Sequence, residues 1–83
     1  MNTQDLKKLV DKYSLAQITG CIQQQLEEGE NACGVADTTD EIITALSRAE
    51  VMRELMDQGM GFHDALRELG RRIRKVYGKD NEG

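Results

Sequence analysis

The stretch from Thr38 to Tyr77 constrains this chain most, because it reads as one helical hairpin. Its first arm carries Ile42, Ala45, Leu46, Ala49, Met52, Leu55 and Met56, and its second carries Phe62, Ala65, Leu66, Leu69, Ile73, Val76 and Tyr77. Both sets recur at steps of three and four, which places each on one face of a 3.6-residue helix. Asp57-Gln58-Gly59-Met60-Gly61 joins the arms. So short a link makes them antiparallel neighbours. Leu46, Leu66, Leu69 and Ile73 lie centrally on the two faces and are expected to be buried. The spacing averages that of a coiled-coil seam, but it lasts only about two heptads.

Upstream, the pattern predicts two shorter helices that cover the hairpin. The first runs from Gln4 to about Lys12, with Leu6, Leu9, Val10 and Tyr13 on its apolar side. Ser14 then restarts the chain. Ser14 and Gln17 fit a capping box, in which the hydroxyl and the amide satisfy each other's backbone N–H groups. The second helix runs from Leu15 to about Glu28. Leu15, Ile18, Ile22 and Leu26 form its apolar stripe, with Cys21 beside it and Gln23, Gln24, Gln25, Glu27 and Glu28 as the wet face. Gly29 suits a helix stop, because glycine accepts the left-handed backbone found there. Residues 30–37 form the one substantial loop. Thr38 with Glu41 fits a second capping box, opening a third helix over about 39–58. The fourth is expected over 62–77, with Gly61 as N-cap, Gly78 as its stop, and 79–83 as a frayed polar tail. No strand pattern occurs, so the fold class is all-α. It is a small bundle of three to four helices in one domain, 1–83.

With 83 residues, one Phe, two Tyr and no Trp, the core is small. A chain of this size buries a smaller share of its surface than a larger domain. The first helix is barely two turns long and cannot cover a twenty-residue hairpin alone. Met52, Met56, Met60 and Phe62 gather at the hairpin tip, and leaving them exposed would create an apolar patch of the kind that marks interfaces. They are the candidate interface, and a two-fold homodimer is the expected way to close it.

Charge is unevenly spread along a chain of net charge -4. Between Glu27 and Asp57 there are nine acidic and two basic residues; between Arg67 and Lys79 there are six basic residues and one acid, Glu68. Arg71, Arg72, Arg74 and Lys75 form a candidate anion patch on the last helix. Charge runs are most often solvated faces, and the acidic body would repel nucleic acid. Binding to nucleic acid through that helix therefore stands third among the readings.

The two cysteines come without a secretion signal, which suggests reduced thiols in a cytoplasm. Cys33 is the candidate thiol, since it lies in the loop beside Gly34 and close before a helix N-terminus. It is expected to be accessible and more reactive than Cys21, which sits on an apolar stripe. A Cys21–Cys33 disulfide is sterically conceivable, but the cytoplasmic reading argues against it. His63 is the sole histidine, and its spacing from the cysteines matches none of the usual zinc-ligand modules. No phosphate-binding glycine loop and no nucleophile elbow occur. No metal, cofactor or catalytic residue is expected, and nothing argues for an enzyme. No apolar run is long enough to span a membrane. The leading expectation is a cytoplasmic helical interaction or adaptor module acting on an unknown protein partner or through its own dimerisation. The alternative is a thiol-based redox or metal-responsive protein using Cys33.

Overall fold

A computed structural model describes residues 3–82, with side chains described over 3–75. It holds four helices in chain order: α1 (Thr3–Lys12), α2 (Leu15–Glu28), α3 (Thr39–Asp57) and α4 (Phe62–Glu82). With no strand among the described residues, the fold is an all-α bundle. α3 is its axis, and each of the other three helices packs against it. Ile42, Ala45, Leu46, Ala49, Met52 and Leu55 are buried along α3. Val51 and Met56, on other arcs of the same helix, also pack against the core. A helix that is apolar most of the way round is one covered from several sides.

The sharp bend between α1 and α2 is set by Ser14. Its Oγ accepts from the Gln17 backbone N–H at 3.2 Å, and Gln17 Oε1 accepts from the Ser14 backbone N–H at 2.8 Å. This reciprocal pair is the predicted capping box. α1 is then fastened to α3 at its far end. Arg53 Nη1 donates to the Val10 carbonyl at 2.8 Å, one of the orphan carbonyls of a helix C-terminus. The same guanidinium grips Asp57 Oδ1 at 2.6 Å, which holds the arginine in place. α2 ends at Gly29, whose φ of 75° is the left-handed conformation and whose N–H donates to the Gln25 carbonyl.

The second capping box forms only by half. Thr38 Oγ1 accepts from the Glu41 N–H at 3.4 Å, but the Thr38 N–H donates to Asp37 Oδ1 at 2.9 Å. Asp37 lies nearer than the Glu41 carboxyl, which turns to hydrogen-bond Asp37 instead. At the other end, α4 continues through Gly78 to Glu82. Glycine permits a helix stop without compelling one, and the chain has no proline to enforce it. Residues 79–82 are therefore helical where a frayed tail was expected; residue 83 lies outside the described residues. Burial of Val76 and Tyr77 likewise lies outside the described side chains.

Of the four residues expected at the heart of the hairpin, Leu46 and Leu69 are buried, whereas Leu66 and Ile73 are only half-buried.

Gly20 lies exposed inside α2, and a Cβ there would meet nothing within 4 Å. No close helix crossing uses it. Gly20→Ala should therefore raise stability by up to about 1 kcal/mol, the difference in helix propensity. A urea titration that leaves the midpoint unchanged or lowers it would show that position 20 serves a contact.

Candidate functional site

The loop between α2 and α3 is where the structure departs furthest from a plain bundle. Cys33 is buried and bonded to Cys21, with their Cα atoms 6.1 Å apart. Both are 7% exposed or less, and no free cysteine is found among the described residues. The expectation of an accessible, reactive Cys33 is therefore overturned. A loop leaving α2 at Gly29 folds back along the same helix, and this return brings the two sulfurs together.

Amides complete the anchoring. Gln25, predicted on the wet face, is 3% exposed. Its Nε2 donates to Thr39 Oγ1 at 3.2 Å and its Oε1 accepts from Asn31 Nδ2 at 3.1 Å. Asn31 in turn brackets Val35: its Nδ2 donates to the Val35 carbonyl and its Oδ1 accepts from the Val35 N–H. Gln24 Oε1 accepts from the Ala32 N–H at 2.8 Å. A buried amide is tolerable only when its donors and acceptors are used. Here the loop's own polar groups use them, and no buried side-chain nitrogen or oxygen among the described residues lacks a partner.

This anchoring rotates α2 relative to the predicted stripe. Ile18, Cys21 and Gln25, at steps of three and four, face inward. Ile22 is half-buried, and Leu26 is 65% exposed. Of the expected stripe Ile18 stays inward, and the buried face shifts toward Cys21, which is paired with Cys33.

The loop also forms one wall of a groove of about 750 Å³. α1 lines it with Asp5, Lys8, Leu9 and Lys12, the bend after it with Tyr13, the loop with Val35 and Asp37, and α3 with Glu41, Thr44, Ala45 and Arg48. Leu9, Val35 and Ala45 supply apolar surface. Lys8, Lys12 and Arg48 balance Asp5, Asp37 and Glu41 in formal charge. The Asp37 carboxyl is held below its usual range by the hydrogen bond with Glu41 and by the Thr38 backbone N–H. Glu41 is pushed up by the same carboxyl pair, hydrogen bond first and like charge second. Neither histidine nor a free thiol lines the groove, and its charged side chains are of mixed sign.

The predicted interface at the hairpin tip is mostly consumed within the chain. Met52 is fully buried, and Met56 and Phe62 pack against the core. α1 reaches the tip after all, since Lys7 Nζ lies 5.5 Å from the Phe62 ring centroid. Of the four candidates only Met60, 39% exposed, presents itself to solvent. His63 is exposed beside Phe62 with its ring edge-on. Among the described residues no three His, Cys, Asp or Glu side chains gather as a metal site would require.

The predicted anion patch lies exposed on α4, but part of its charge is spent locally. Arg71 and Arg72 both close on Glu68, at 2.7 and 3.1 Å. Hydrogen bonds first from Arg71 and then from Arg72 hold the Glu68 carboxyl below its usual range. Arg67, Arg74 and Lys75 are exposed on the same helix. Beside them, Leu6 of α1 and Leu66, Leu69, Gly70 and Ile73 of α4 line a second groove of about 370 Å³, with Arg48 at its rim.

No family model matches the chain, and neither the curated proteins nor the solved structures contain one similar to it. Among the described residues no helix is long and apolar enough to cross a membrane.

Proposed function

We propose that this chain is a small, non-catalytic helical interaction module that works as a homodimer. The observation that carries this reading is Leu26. Apolar side chains of its size are otherwise covered at least in part throughout the described bundle, Met60 excepted, yet Leu26 is 65% exposed. One exposed leucine is ordinary on its own. Leu26 gains weight from its place one turn beyond half-buried Ile22, at the outer edge of the apolar side of α2. The surface expected to associate thus moves from the methionine tip to α2. Sedimentation equilibrium at micromolar concentration tests the reading. A species of twice the chain mass is expected, and a strictly monomeric protein would overturn it.

A second reading, a redox-responsive protein, draws support from the Cys21–Cys33 disulfide. Disulfides persist in oxidising compartments and are rare in a reducing cytosol. Cytoplasmic placement therefore fits only a pair that cycles. In such a cycle a dithiol reductant supplies two electrons and two protons, the S–S bond breaks, and two thiols result. Cys33 lines the larger groove, so its release would alter that wall. Equilibration of the chain in glutathione redox buffers tests this. A pair that switches between disulfide and dithiol within the cytosolic range supports the reading, and one that stays oxidised throughout that range would remove it.

A further inference from the structure

Leu26 and Gly70 each stand where the chain's own packing gives no reason for them. Gly70 lies inside α4, where glycine costs about 1 kcal/mol relative to alanine. A Cβ at that position would meet nothing within 4 Å. Gly20 has the same open space but lines neither groove. Gly70 lines the groove formed with Leu6, Leu66, Leu69 and Ile73, and the missing side chain leaves that groove unobstructed.

We infer that the Leu26 end of α2 in one copy docks in the α1–α4 groove of a second copy, and that the exchange is reciprocal in a two-fold dimer. This rests on the self-association proposed above and assigns its two surfaces. Charge selects the occupant. Leu26 is flanked by Glu27, Glu28 and Glu30, all exposed. The groove has Arg48 at its rim. Arg67 and Arg74 stand three residues before and four after Gly70, on the same side of α4. An apolar knob within acids thus meets an apolar groove edged by bases, and the charges fix orientation and suppress the reverse pairing. The basic helix, read from sequence as a possible anion patch, is here the receptor for the chain's own acidic end. Because knob and groove are different patches, one contact alone would propagate copies into an open chain; reciprocal exchange closes the pair.

Complementation between two variants tests the pairing. Leu26→Glu disables the knob, and its side chain already lies mostly in solvent. Gly70→Glu fills the groove with a residue of better helix propensity and adds a charge that repels the acidic knob. Each variant should fold, as read by circular dichroism. Each should weaken self-association at least about tenfold, measured by sedimentation equilibrium. Their equimolar mixture should associate more tightly than either variant alone and less tightly than wild type, because one of the two exchanged contacts, the knob of the second variant in the groove of the first, is kept. Wild-type association in either variant alone would overturn the assignment. So would two non-associating variants whose mixture stays monomeric, an outcome that leaves the homodimer standing on a different surface. A monomeric wild-type chain would instead remove the homodimer, and this assignment with it.

Discussion

Leu46→Ala should lower the stability of the folded chain by about 2–5 kcal/mol, the range for truncating a fully buried leucine. Leu46 has no exposed surface and lies on the helix that all three others pack against. Because α3 is packed by the other three helices, its surroundings have little freedom to collapse into the cavity. A domain of this length has roughly 4–12 kcal/mol of total stability, and the loss is therefore a large share of the whole. Leu15→Ala supplies the internal control. Its side chain is only half-buried and lines neither groove, so the same chemical change should cost less. Urea titrations of the two variants under identical conditions measure the difference. Equal losses at the two positions would contradict the difference in their burial.

Helix placement was legible because capping chemistry and apolar period agreed. Ser14 with Gln17, Gly29, Thr38 and Gly61 mark ends that the structure places within a residue or two of expectation. Two kinds of information were not legible in this way. One is the choice between competing faces. The expected stripe of α2 was Leu15, Ile18, Ile22 and Leu26; the structure keeps Ile18 inward and turns the buried face toward Cys21 and Gln25, where the returning loop lies. Gln25 was assigned to water because glutamine usually belongs there, but Asn31 and Thr39 satisfy it inside. A signal was present: Gln24, Gln25 and Asn31 crowd around a loop that has few other means of satisfying its backbone. The other is reach. The length of α1 suggested an uncovered methionine tip, yet with the Ser14 bend and the Arg53 clamp in place Lys7 reaches Phe62. The disulfide was discounted through an inferred compartment, an argument weaker than the geometry of a loop that folds back along the helix it leaves.

Reduction of the Cys21–Cys33 disulfide should lower stability by about 3 kcal/mol, the chain-entropy value for a loop of this length. The bond joins residues separated by 12 positions, so reduction returns conformational freedom to the unfolded chain over that span. The folded state should survive reduction in recognisable form, because the amides of Gln24, Gln25 and Asn31 still tie the loop to α2 and α3. Urea unfolding with and without a phosphine reductant measures the effect. The midpoint should fall, and the slope should rise, since an unlinked unfolded chain exposes more surface. Cys21→Ala/Cys33→Ala separates the cross-link from the reductant. Alanine, unlike serine, leaves no hydroxyl to satisfy in a site that is 7% exposed or less. The double variant should unfold near the midpoint of the reduced wild type, offset only by the small cavities left by two sulfur atoms. If the oxidised and reduced chains unfold at the same denaturant concentration, the loop is held by its amides alone, and the redox-responsive reading loses its energetic basis.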